Sequence, residues 1–155
     1  MQRYLLIALY PLIVTSISLT ACQKNPQTNA STNTSSATLV GCYTVTKTEP
    51  PQIKINLENG SYTMQMRQFN DPDKPWDSPE PLQALVQTDS KKYFDVNEKS
   101  VETALIRPDK VFAIAKVQDS LMSLDSRFDS SYLGFIAKSE NIKGSNTIYK
   151  VDCDS

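Results

Sequence analysis

"QIKINLENGSYTMQM", residues 52–66, carries the clearest structural signal in the chain. Asn59-Gly60 is the dipeptide best suited to a two-residue hairpin turn, because both central positions of a type I′ turn need positive φ. With those two residues at the tip, Leu57 faces Tyr62, Ile55 faces Met64 and Ile53 faces Met66. Each pair joins apolar to apolar on one face. Lys54, Asn56, Thr63 and Gln65 fall on the other. A slip of one residue would turn every apolar side chain toward water, so the register is strongly specified.

Working outward, "LVGCYTVTKT" (39–48) is rich in β-branched residues and reads as a strand stopped by Pro50-Pro51. "KKYFDV" (91–96), "VETALIR" (101–107), "KVFAIAKVQ" (110–118), "SYLGFIAK" (131–138) and "NTIYKVD" (146–152) read as further strands. Val111, Ala113, Ala115 and Val117 share one side of theirs, and "RPDK" supplies the turn before it. One stretch breaks the pattern. In "SPEPLQALVQTD" (78–89), Ser78 suits an N-cap, Pro79 a first helical position, and Leu82, Leu85 and Val86 one helical face, which predicts a short helix. "DSLMSLDSRFDSSY" (119–132) reads as a solvated loop or irregular edge strand, and Tyr43, Tyr62 and Tyr149 as core or rim residues. Seven or eight short strands with frequent turns predict a mainly β domain. The expected form is a single small antiparallel barrel or sandwich with one short helix.

The start of the chain is different. Met1–Arg3 is basic, Tyr4–Leu19 is predominantly apolar and contains Pro11, and small residues follow. The run is short for a membrane span, which needs about 20 residues, and has the form of a secretory signal peptide. Leu19-Thr20-Ala21-Cys22 then resembles the lipobox of bacterial lipoproteins. The resemblance implies a diacylglyceryl group on the Cys22 thiol, cleavage after Ala21, and a third acyl chain (typically palmitate) on the new amine. Each buried CH₂ contributes ~0.8 kcal/mol, so two or three chains hold a protein lastingly on a bilayer without spanning it. Gln23, rather than Asp, follows the cysteine. By resemblance to Gram-negative sorting this favours the outer membrane, on its periplasmic or its surface face.

"QKNPQTNASTNTSSAT" (23–38) has no large apolar side chain and reads, with Cys22, as a disordered tether spanning residues 22–38. As a flexible coil it would extend roughly 22 Å. The leader is then 1–21 and the β domain 39–155. Without Arg3, fifteen basic residues stand against seventeen acidic ones, with no basic stripe, so nucleic acid is not an expected partner. Cys42 and Cys153, in an exported chain, are expected to form a disulfide joining the terminal strands. For so long a loop the chain-entropy model gives at most about 4.7 kcal/mol. Gly41-Cys42-Tyr43 also resembles the Gly-x-aromatic start of lipocalin-like barrels, which would imply a carrier of a small apolar ligand.

The absence of histidine removes Ser-His-Asp and Cys-His nucleophiles and the usual zinc sites. Four scattered glycines make no phosphate-cradling loop. The chain therefore reads as non-enzymatic, with no cofactor and no metal; the spacing of Asp71, Asp73 and Asp77 lacks the glycine and glutamate of a calcium loop. The segment that stands out is "FNDPDKPWDSPEP" (69–81). Four prolines stiffen it, and Asp73 and Asp77 flank the only tryptophan. Trp76 either presents a surface to an envelope protein partner, as interface tryptophans do, or folds back over the open end of the barrel.

Overall fold

Asn59 (φ 51°) and Gly60 (φ 78°) both take the left-handed conformation at the tip of a hairpin between β2 (Ile53–Glu58) and β3 (Ser61–Met66). Its register pairs Ile53 with Met66, Ile55 with Met64 and Leu57 with Tyr62. In the computed structural model, which describes residues 36–67, 73, 75–139 and 142–154, this hairpin belongs to a closed antiparallel barrel of eight strands in sequence order. The others are β1 (Gly41–Thr44), β4 (Glu80–Ala84), β5 (Val101–Ile106), β6 (Phe112–Val117), β7 (Tyr132–Ser139) and β8 (Ile142–Val151). Of the sandwich and the barrel, the chain forms the barrel. The leader, Cys22 and most of the tether lie outside the described residues.

The short helix expected within 78–89 and the strand expected at 91–96 are exchanged. Residues 80–84 form β4, while 91–96 contribute to α1 (Ser90–Phe94). Two prolines decide the first: the residue before a proline avoids helical backbone, which extends both Ser78 and Glu80. Pro81 can sit in a strand because it lies opposite Thr63 in β3, whereas β4 meets β5 later, at Gln83 and Ala84. Burial decides the second. Tyr93 and Phe94 are consecutive and both packed into the same outer cluster, which one helical turn permits, whereas a strand would send them to opposite faces. Asp95, in left-handed conformation (φ 52°), ends the turn. A second short helix, α2 (Ser120–Leu124), lies within the stretch expected to be loop or edge strand. Leu39 also departs from expectation: it precedes β1 in a 3₁₀ turn over Ala37–Leu39.

Two apolar clusters result. Inside the barrel, Tyr43, Ile53, Ile55, Met64, Leu105, Phe112, Ile114 and Ile148 are all but fully buried, together with Leu39. Outside it, Ala104, Ile106, Ala113, Ala115, Val117 and Leu133 form a face of mostly small side chains under Tyr93 and Phe94. Tyr93 meets the Phe135 ring edge-on at 5.3 Å, and Ser145 Oγ donates to the Phe94 carbonyl (3.0 Å). Strands β5–β7 are thus covered on both faces. Each large side chain so buried contributes about 1.5–3 kcal/mol.

Closure falls to β1, where Cys42, Tyr43 and Thr44 pair with Val151, Lys150 and Tyr149 of β8. Just past β8, Cys153 forms a disulfide with Cys42 across a separation of 111 residues. Gly41 (φ 137°) is required beside it. A Cβ there would lie 2.7 Å from Lys150 Cε, in a conformation that other residues rarely adopt. Replacing Cys42 and Cys153 together by serine should lower the unfolding free energy by about 2–4 kcal/mol in urea titration. An unchanged midpoint would show that strand pairing and core packing alone keep the barrel shut.

Candidate functional site

Antiparallel order sends the chain from one end of the barrel to the other with each strand. The first and last described residues, Ser36 and Asp154, and the β2–β3, β4–β5 and β6–β7 connections share one end. The β1–β2, β3–β4, β5–β6 and β7–β8 connections share the opposite end, and Trp76 is in the β3–β4 connection.

Trp76 is placed by its neighbour. Asp77 N–H donates to the Met66 carbonyl (3.1 Å), and Asp77 Oδ1 accepts from Met66 N–H (2.7 Å). Gln65 Nε2 donates to the Asp77 carbonyl (2.7 Å). These three bonds lay the loop along the end of β3. The half-buried Trp76 ring then lies under the Arg67 guanidinium, 4.3 Å from its centroid, with Lys54 Nζ at 5.8 Å. Lys54 alternates with the inward Ile53 and Ile55, and Arg67 follows the inward-facing Met66, so both point outward. Trp76 therefore lies on the outer wall of the barrel, and the reading in which it folds over the open end does not hold. Stacked cations of this kind contribute about 0.5–1 kcal/mol at exposed sites.

Of the three residues singled out in the sequence, the structure brings Trp76 and Asp77 together, with Asp77 as the residue that positions the loop. Asp73 is exposed, and Asp71 lies outside the described residues. Lys54 and Arg67 were missed. The available signal was the outward face of the 52–66 hairpin, where Lys54 already stood; nothing in the sequence pointed to tryptophan as its neighbour.

The opposite end is closed by the segment Ser36–Leu39. Ser36 Oγ and Thr103 Oγ1 share a hydrogen bond of 2.8 Å, and Leu39 is sealed in the barrel core. Lys150 Nζ donates to the Thr38 carbonyl (3.0 Å) between the Tyr43 and Tyr132 rings. Burial pushes the Lys150 ammonium below the ordinary lysine value. Burial, with Tyr132 beside it, pushes the Tyr43 phenol far above the ordinary tyrosine range, so its hydroxyl stays protonated and donates to the Leu39 carbonyl (2.7 Å). Ser36–Thr38, the last residues of the expected tether, are thereby fastened to the barrel.

On the outer wall, Asp129 accepts from the Tyr149 hydroxyl (2.7 Å) and pairs with Lys47 (2.8 Å). The Lys47 hydrogen bond, then that of Tyr149, holds its carboxyl below the usual carboxylate range. Among the described residues no group of three or more His, Cys, Asp and Glu is placed to hold a metal ion. The chain matches no family model, and no curated protein or solved structure matches it.

Trp76 is the only tryptophan, so its fluorescence reports this site alone. Asp77→Ala should shift its emission to the red and make it more open to iodide quenching, with a stability loss of about 1 kcal/mol. Unchanged emission would show that the Asp77–Met66 backbone bond suffices to place the ring.

Proposed function

We propose that the chain is a bacterial envelope lipoprotein: a non-catalytic accessory module, held on the outer membrane through acyl chains on Cys22, that docks a protein partner with the surface around Trp76. The lipobox-like Leu19–Cys22 supports the anchor. One geometric observation supports the docking surface. The described chain begins at Ser36, at one end of the barrel, and Trp76 belongs to a connection that starts from the other end. An anchor upstream of Ser36 leaves the tryptophan surface on the side away from the lipid, where a partner can reach it. The ring is stacked on Arg67 and fixed by Asp77, so little side-chain freedom is lost on binding, the property expected of an interface hot spot.

The alternative, a lipocalin-like carrier, finds less support. The barrel interior is occupied by large side chains, Tyr43, Phe112, Met64 and Leu39 among them. Among the described residues no helix is long and apolar enough to cross a membrane. Acyl chains need none.

Two measurements test the proposal separately. The native protein should carry lipid mass on Cys22 and lack residues 1–21, and Cys22→Ser should release the chain from the membrane fraction; native protein without lipid and with its leader would overturn the anchor. Crosslinking in intact cells followed by purification should recover one partner. Trp76→Ala should reduce that recovery at least tenfold while lowering stability by only about 1 kcal/mol. Equal recovery from wild type and variant would overturn the docking surface.

A further inference from the structure

Strand β4 meets β5 at just Gln83 and Ala84, with one more bond from Leu85 N–H to the Ala104 carbonyl (2.9 Å). The chain then leaves the sheet at Val86 for the 3₁₀ turn Gln87–Asp89 and α1. Gln87 Nε2 reaches back, donating to the Glu98 and Val101 carbonyls (3.1 and 3.0 Å). Between these diverging segments lies a groove of about 330 Å³. Ala84, Leu85, Val86, Val101 and Ala104 supply its apolar lining. Leu85, Val101 and Ala104 belong to the outer cluster, so the groove is set into the outer wall, apart from the packed interior.

Its polar side chains are satisfied with one exception. Ser36 and Thr103, both on the groove, share their hydrogen bond, and Glu102 pairs with Lys116. Ser90 also lines it and is fully buried, yet its hydroxyl has no hydrogen-bond partner among the described residues. A hydroxyl buried in this way costs stability that a methyl group in its place would not. Charges nearby cancel. Residues 85–100 carry Asp89, Asp95 and Glu98 against Lys91, Lys92 and Lys99.

We infer that the groove is a binding site for a small uncharged molecule. Its apolar body rests on Leu85, Val86 and Val101, and one oxygen, as in a ketone, an ester or an alcohol, bonds to the Ser90 hydroxyl. Small-molecule sites span about 300–1,000 Å³ and combine an apolar lining with a few polar groups, and this groove has the size and the lining of the smaller ones. A charged ligand would be desolvated there with no counter-charge to meet it. The serine hydroxyl can donate or accept, so either kind of oxygen satisfies it. Burial puts Ser90 at the floor and Val86, 64% exposed, at the rim, so the ligand enters oxygen first. The inference stands on the barrel alone and requires neither a lipid anchor nor a partner at Trp76.

The test uses the full chain in phosphatidylcholine nanodiscs, with isotope-labelled methyl groups read by NMR. The probes are acetophenone and α-methylstyrene, in which a methylene group replaces the ketone oxygen. Acetophenone should shift the Leu85, Val86 and Val101 methyl signals saturably. At equal free concentration α-methylstyrene should bind about fivefold or more weakly, because it leaves the hydroxyl unpaired. Ser90→Ala should bind the two equally and melt at the wild-type temperature or above it. Ala84→Trp, at an exposed position on the groove, should remove the shifts with both probes. No saturable shift, equal binding of both probes by the wild type, a ketone preference that survives Ser90→Ala, or shifts centred on Ile148 and Met64 of the interior would each overturn the inference. So would a lowered melting temperature of Ser90→Ala, which would show that the hydroxyl already has a partner.

Discussion

Closure of the barrel depends on three residues of β1. Cys42, Tyr43 and Thr44 form the pairing to β8 that turns a curled sheet into a ring, and a ladder so short is easily opened. Several interactions converge to hold it. Tyr43 fills the interior beneath it and bonds to Leu39, Gly41 makes room for Lys150, and the disulfide ties Cys42 to the chain just beyond β8. In an open sheet β1 and β8 would both present unpaired edges, which invite association with other chains. The covalent tie thus sits beside the seam where ladder hydrogen bonding is thin. A disulfide acts mainly on the unfolded state, by keeping the ends of a long loop together. Here those ends belong to strands that nearly the whole domain separates in sequence.

What closes the ring also fastens the chain upstream. Lys150 and Tyr43 reach past β1 to the Thr38 and Leu39 carbonyls, and Thr103 holds Ser36 from the far side of the mouth. Ser36–Thr38 thus belong to the fold although the composition turns apolar only at Leu39. Serine and threonine read as tether in the sequence, and only their partners across the barrel mouth make them structure.

Legibility in the sequence followed the range of the interactions. The 52–66 hairpin was readable to the last pair because its turn dipeptide and its alternation are local. The alternation of β6 was also readable: of Val111, Ala113, Ala115 and Val117, expected on one side, the last three share the outer cluster, while Val111 precedes the strand and is exposed. The identities of β4 and α1 were not. Leu82, Leu85 and Val86 satisfy a helical spacing, yet Leu82 alone of the three is buried, because β4 is shared between β3 and β5 and only one of its side chains enters the barrel. Tyr93 and Phe94 have strand-like composition, yet both are drawn onto a face built from Ala104, Ala113 and Ala115 in distant strands. Tertiary burial outweighs local propensity in both places. The site divided in the same way. Trp76 stood out by composition, but its position on the outer wall comes from Asp77 meeting Met66, a pairing no spacing rule announces.

The barrel leaves little room for cargo. Tyr43, Phe112, Met64 and Leu39 fill its interior, and Ser36–Leu39 lie across one mouth, held by Thr103 and Lys150. What the molecule can offer another is therefore its outside, where the bonds between Asp77 and Met66 hold Trp76 against Arg67 and Lys54. An aromatic ring fixed in this way loses little side-chain freedom on contact. A barrel packed to its centre suits surface contact better than enclosure.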